Sequence, residues 1–399
     1  MKILVLNCGS SSIKYKLIEM PANNVLAQGG VEKVGLKDSF LKLTKANGEK
    51  EVLEKEIPEH TVGIEFILET LTSAERGAIK SLDEIDAVGH RVVHGGEKFN
   101  KSVLITDEVI KNIEECIKVA PLHNPPNLKG IAAVSKLMPS KPQVAVFDTA
   151  FHQTMPQQAF MYALPYELYK ENGVRRYGFH GTSHRYVSQR ALEILGMKAE
   201  GTKMITCHIG NGGSITAIKD GKSVDTSMGM TPLEGLVMGT RAGDVDAGAV
   251  TFLMEAKGYD VATMSNILNK KSGLLGVSGV SSDMRDVRAG IAAGNEQAKL
   301  ALDMFCYRAK KYVGSYVAVL GGVDVLVFTG GIGENVEVVR EAICKDMECF
   351  GIKIDKTIND QIHGEEKVIS TSDSKVKVII VPTDEEYMIA SDTLEIVSK

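Results

Sequence analysis

Three glycine-rich turns, each following an apolar run, are where this sequence first suggests chemistry. Ile3-Leu4-Val5-Leu6 leads into Asn7-Cys8-Gly9-Ser10-Ser11-Ser12 and out through Ile13-Lys14-Tyr15-Lys16-Leu17, a strand, a small polar turn and a strand. About 200 residues further on, Ile205-Thr206-Cys207-His208-Ile209 leads into Gly210-Asn211-Gly212-Gly213 and out through Ser214-Ile215-Thr216-Ala217-Ile218. The spacing is half the chain, which points to two related halves rather than a solenoid. Two such turns offer backbone N–H groups and the hydroxyls of Ser10 and Ser12 to a polyphosphate, with Lys14 as a cation beside the first. Singly, either turn reads equally well as a plain hairpin; the pair favours phosphate. The third turn, Thr329-Gly330-Gly331-Ile332-Gly333-Glu334-Asn335, joins a strand to a helix, an arrangement that suits a nucleotide. It is not the dinucleotide fingerprint, because Val336 stands where a third small residue is needed. Gly221-Lys222-Ser223 resembles the end of a P-loop, but Thr216 occupies the place of its first glycine. A nucleotide here is therefore expected to bind without a Walker lysine.

Other residues carry weaker signals. Asp148 ends an apolar strand, the usual station of an active-site group in α/β folds, although a turn or cap aspartate would look the same. His180 and His184 form H-x-x-x-H, but no glutamate follows His180 and no third ligand is evident, so a zinc site is not expected.

The elements that must position these groups alternate along the chain. Residues 2–7, 86–93, 143–147, 203–209 and 323–328 read as buried strands; residues 60–72, 106–119, 183–195, 291–320 and 336–349 read as helices. The pattern predicts α/β with mixed rather than purely parallel strands. The proline-rich stretch 120–127 predicts a loop. A chain of 399 residues exceeds what one core usually holds, so two domains are expected. The net charge of −5 supplies no basic face for nucleic acid or anionic lipid, so anionic substrates need local cations. The six cysteines show no C-x-x-C pair or disulfide spacing, and the N-terminal apolar run is too short for a signal peptide. A cytoplasmic location, with no membrane partner, is the expectation.

Taken together, seven motifs resemble the acetate kinase family over essentially the whole chain. They are Asn7 to Lys14, His90 to Gly96, Phe147 to His152, Tyr177 to His184, His208 to Ser214, Met238 to Asp244 and Phe328 to Asn335. The resemblance implies two duplicated actin-like, ribonuclease H-like ATPase domains with ATP in the cleft between them. It places the N-terminal domain at 1–150 plus 386–399 and the nucleotide-binding domain at 151–385, with hinges near 150 and 385. It implies a homodimer that makes ADP and acetyl phosphate from ATP and acetate, reversibly and by direct in-line transfer. Mg²⁺, replaceable by Mn²⁺, is the implied cofactor. One departure is Ala247 after Asp246, where the family commonly has proline, so a looser turn is expected there.

The residue roles follow from the same resemblance. Arg91, Asp148, His180 and Arg241 are the implied catalytic residues. The two arginines neutralise carboxylate and phosphate, and His180 holds the transferring phosphoryl group. Val93, Leu122, Phe179 and Pro232, with Arg91, enclose the acetate; alone, each of the four would read as core. Ser10, Ser12, Lys14, His208, Ile209, Gly210, Asn211 and Gly212 line the phosphates. Asp283, Met284, Arg285 and the run Gly331, Ile332, Gly333, Glu334, Asn335 surround the adenosine. Asn7 and Glu385 hold the metal, with Asp384 and Glu386 as rivals for that place. A carboxylate is already ionised near neutral pH, so no general base is required. Propionate and butyrate kinases of the same family are the near alternatives. A sugar kinase would need a general base, and a nucleotide-switched binding module would lack acceptor dependence.

Overall fold

The computed structural model describes all residues from Met1 to Lys399. The chain forms two compact units, Met1–Gln153 with Asp384–Lys399, and Thr154–Thr383. The breaks therefore fall a few residues from those expected, and Glu385 lies in the first unit.

In the first unit, β1 (Lys2–Cys8), β2 (Ser12–Glu19), β3 (Asn24–Glu32), β4 (Phe40–Lys45) and β5 (Lys50–Glu54) form an antiparallel meander. On its other side β1 pairs in parallel with β6 (Ala87–Val92), and β6 in parallel with β8 (Gln143–Phe147); β7 (Val103–Leu104) closes that edge. The sheet order is β5-β4-β3-β2-β1-β6-β8-β7. β8 is buried throughout, which is why its run Val144–Phe147 is continuously apolar rather than alternating.

The second unit repeats the pattern. β9 (Lys203–Ile209), β10 (Gly213–Lys219) and β11 (Lys222–Thr226) are antiparallel, and β9 then pairs in parallel with β12 (Val325–Thr329). β14 (Lys377–Ile380) continues in parallel, with β13 (Lys367–Val368) at the edge, giving β11-β10-β9-β12-β14-β13. Three antiparallel strands followed by two parallel ones occur in both sheets, the order of a ribonuclease H-like domain. The duplication suggested by the turns is thus present in the topology.

The helix Glu385–Val397 returns the chain to the first unit, where Ile389 and Ala390 pack with Ile3, Val5, Val144 and Val146. Gly89 on β6 permits this approach, since a β-carbon there would lie 2.5 Å from Thr393 and 2.7 Å from Ile389.

Two expectations are corrected. The stretch 120–127 is not all loop: a helix runs from Asn124 to Leu137, with Pro125 and Pro126 in its first turn. Proline is tolerated there because those N–H groups have no intrahelical acceptor to lose. The helix expected over 291–320 is two helices, Met284–Ala292 and Glu296–Leu320. Gly294 at φ +84° breaks the run, and Asn295 caps the second helix by accepting from the Ala298 N–H at 3.0 Å. Asp246 also caps a helix, accepting from the Gly248 N–H at 3.1 Å, so its turn is fixed without a proline.

Candidate active site

In the first unit the parallel strands β1, β6 and β8 bring their C-terminal ends together, the place where α/β sheets build sites. Asn7 lies near the end of β1, Arg91 near the end of β6, and Asp148 follows β8. Asp148, 1% exposed, grips Arg91 bidentately, with Nε to Oδ1 at 3.1 Å and a terminal nitrogen to Oδ2 at 2.6 Å. The other terminal nitrogen of Arg91 donates to Asn7 Oδ1 at 3.4 Å. Burial works against the Arg91 charge, but Asp148 and Glu385 outweigh it and hold the guanidinium above its ordinary value.

The three acids at the start of the last helix take separate places. Asp384 caps the helix, accepting from the Tyr387 N–H at 3.0 Å, and pairs with Lys16 at 3.1 Å. Glu386 also faces Lys16, at 3.8 Å. Glu385 has neither a hydrogen bond nor an ion pair of its own. Burial pushes its carboxyl up to about 7, Asp148 and Glu386 add to the rise, and Arg91 and Lys14 oppose it.

The loop after β6 is held by two asparagines that the sequence did not mark. Asn127, 2% exposed, accepts from the Val93 N–H at 3.0 Å and donates to the Cys8 carbonyl at 2.8 Å. It thus ties the end of β1 to the end of β6. Asn124, fully buried, accepts from the His94 N–H at 3.2 Å and donates to the His94 carbonyl at 3.0 Å. Their signal was Asn-Pro-Pro-Asn, a helix start with asparagine before proline. Val93 is buried at 8% exposure, whereas Leu122, in the turn before that helix, is 69% exposed. Ser10 and Lys14 are exposed on the turn and β2, and Ser12 is half-buried.

In the second unit, His180 stands in the left-handed region at φ +55°, directly before the helix Gly181–Leu195. Its ring stacks on that of His208, with centroids 4.2 Å apart. Ser183 Oγ lies 2.8 Å from His208 Nδ1 and 2.8 Å from Thr383 Oγ1. A β-carbon at Gly212 would stand 3.4 Å from the Arg241 guanidinium and 3.7 Å from the His180 ring, so the glycine-rich turn after β9, the arginine and the histidine converge.

Arg241 has no carboxylate partner. One terminal nitrogen reaches the Pro232 carbonyl at 3.4 Å and Met238 Sδ at 3.7 Å, and burial lowers the group from its ordinary value. Phe179 is buried at 3% exposure and Pro232 half-buried.

A cavity of about 720 Å³ opens beside these groups, lined by Gly210, Asn211, Asp283, Met284, Arg285, Gly331, Ile332 and Asn335, together with Ser282, Arg288 and Val336. Arg288 lies one turn below Met284 on the same helix, a helical-spacing signal that could have found it. Five second-unit residues expected at the nucleotide, His208, Ile209, Gly212, Gly333 and Glu334, do not line the cavity. Ile209 is core; Glu334 Oε1 accepts from the Gly330 N–H at 2.8 Å and the Thr383 N–H at 3.1 Å; the Gly333 carbonyl accepts from Arg340 at 3.0 Å. Glu334 and Gly333 fasten the turn, which also requires glycine at 330, where φ is +77° and the Ile209 backbone lies 2.8 Å from any β-carbon.

Residues 2–391 match the acetokinase family. An acetate kinase of Bacteroides thetaiotaomicron is 67% identical over 399 residues, covering all of both chains. The crystal structure of the Porphyromonas gingivalis acetate kinase superposes with a TM-score of 0.96 at 65% identity, covering 99% of both chains. That of a propionate kinase from Francisella tularensis gives 0.92 at 43% identity, also covering 99% of both. On this evidence of sequence and structure alike, the chain belongs to the acetokinase family.

Proposed function

We propose that this protein is an acetate kinase, transferring the γ-phosphoryl group of ATP to acetate, and back from acetyl phosphate to ADP, by direct in-line displacement. The observation that carries the reading is Arg241, a partly buried guanidinium without a carboxylate partner beside a glycine-rich phosphate turn. A buried cation of this kind calls for an anion that arrives with the substrate.

Roles follow from chemistry. Arg91, oriented by Asp148, binds the carboxylate bidentately; its charge is secured by the ion pair, so it keeps donating as the substrate turns over. Val93 meets the methyl group, with Leu122 beside it in the first unit; Phe179 and Pro232 are the apolar candidates of the second unit. The 720 Å³ cavity takes the adenosine, and the turn Gly210–Gly212 with His208 takes the phosphates. His180 and Arg241 donate hydrogen bonds to the transferring phosphoryl group, where charge on its equatorial oxygens must be held. Ser10, Ser12 and Lys14 supply further donors to the phosphates.

Asn7 and Glu385 fit a divalent cation. The Glu385 carboxylate is short of positive charge, and Mg²⁺ takes few protein ligands because it keeps most of its waters. When bound, Mg²⁺ or Mn²⁺ would neutralise phosphate oxygens.

No helix is long and apolar enough to cross a membrane, and all six cysteines are unpaired, which supports a cytoplasmic location. Exposed Val245, Phe252 and Val261 in the second unit support a homodimer.

The test is acyl phosphate formation trapped with hydroxylamine, offering acetate, propionate, butyrate and sugars. Turnover highest with acetate is expected. Butyrate as best substrate would discard the pocket reading, and ATP hydrolysis indifferent to every carboxylate would discard the kinase.

A further inference from the structure

Behind His180 lies a chain of buried side chains that no substrate-binding role accounts for. Thr206 on β9 and Ser214 on β10 are fully buried, as is His184 on the helix that His180 begins. Thr206 Oγ1 is 2.7 Å from His184 Nδ1, His184 Nε2 is 2.7 Å from Ser214 Oγ, and Ser214 Oγ is 3.0 Å from His180 Nδ1. Four groups are thus linked in a row through three hydrogen bonds.

A hydroxyl has one proton and two lone pairs and a neutral imidazole has one proton, so a row in which Ser214 uses its own hydrogen runs in one of two directions, while Ser214 accepting from both rings would leave that hydrogen unused in the core. Were His180 Nδ1–H to donate to Ser214, Ser214 would donate to His184, and His184 Nδ1–H to Thr206. The Thr206 hydrogen would then be left in the core without an acceptor, since Thr206 Oγ1 bonds only to His184. A buried unsatisfied donor costs about 1–3 kcal/mol. In the opposite direction every hydrogen is used: Thr206 donates to His184 Nδ1, His184 Nε2–H to Ser214, and Ser214 to His180 Nδ1. His180 Nδ1 is then an acceptor, and its proton must sit on Nε2.

We infer that Thr206, His184 and Ser214 are positioning residues that fix His180 as its Nε2–H tautomer, so that the imidazole meets the phosphoryl group as a donor before any substrate arrives. The inference rests on the proposed role of His180. It explains why a second histidine stands four residues beyond the first in a fully buried place: it passes on hydrogen-bond direction rather than binding a metal.

The tautomer is read directly from long-range ¹H–¹⁵N correlations of the ligand-free protein labelled at histidine, with the His180 signals assigned by their loss in His180→Ala. A protonated Nε2 in neutral His180 is expected, and a protonated Nδ1 would overturn the inference. Ser214→Ala should lower kcat roughly 100-fold, the scale of losing one preorganised donor, while the KM values for acetate and ATP stay within about threefold. Ser214→Thr, which keeps the hydroxyl, should recover most of the loss. Unchanged kcat and an unchanged tautomer in Ser214→Ala would sink the relay and leave the kinase reading standing. Full turnover in His180→Ala would remove the phosphoryl role of His180, whatever tautomer the spectra show.

Discussion

Arg91 and Arg241 are the same residue type held in opposite ways. Arg91 is tied through both faces of a buried carboxylate and through Asn7, so its charge and direction exist before any ligand does. Arg241 has only a carbonyl and a thioether at long range, and burial penalises its charge. A carboxylate ligand carries one charge and is gripped through two oxygens in one plane, so binding it well needs a fork already aimed. A triphosphate brings several negative charges, enough to complete an unpaired guanidinium when it arrives. On the proposed roles, the acceptor side is preassembled and the phosphoryl side is finished by its ligand.

Replacing each arginine by alanine should sharpen this contrast most. Both variants are expected to lose roughly 10³-fold or more in acyl phosphate formation. Only Arg91→Ala strands a buried carboxylate, so urea melts should show it about 3–5 kcal/mol less stable, with Arg241→Ala close to the parent. Equal stabilities would break the comparison.

Glu385 tests it from the other side, as a group of the first unit that does await a ligand. Its carboxyl stands at about 7 in the fold against an ordinary 4.5, so the folded chain holds an extra proton between those values. The metal-free protein should therefore lose stability from this group as pH rises through that window. Mg²⁺ should restore it, and Glu385→Gln should flatten the dependence while lowering turnover roughly 100-fold. Melting temperature against pH, in chelator and in Mg²⁺, reads all three.

Asn127→Ala leaves the Val93 N–H and the Cys8 carbonyl without their partner, at about 1–3 kcal/mol for such a buried group. If preassembly matters, KM for acetate should rise about tenfold while ATP binding by the second unit hardly moves. Val93→Ala should give the smallest effect, a shift of about fourfold toward propionate, the worth of one buried methylene. Ratios of kcat/KM for the two acids measure it.

Elements with a strong local signature were legible from the sequence: the buried apolar strands β1, β8 and β9, the paired glycine-rich turns, and Asp148 at a strand end. The duplication was visible because both halves keep the same turn. What escaped was set by partners distant in sequence. Asn124 and Asn127 hold loops about 30 residues away or more, and nothing local marks an asparagine as buried. Asp384, Glu385 and Glu386 are alike in sequence and differ only in what each faces. The outer meander strands β3, β4 and β5 went unread because their polar faces dilute the apolar pattern.

The first unit is sewn from both ends of the chain, and this gives its birth an order. A ribosome delivers β1, β6 and β8 early, then spends on the order of tens of seconds on Thr154–Thr383 before the closing helix emerges. Through that interval Ile3, Val5, Val144 and Val146 lack the surface that covers them. The second unit can finish alone; the first must wait, with its apolar seam open to chaperones and to other nascent chains.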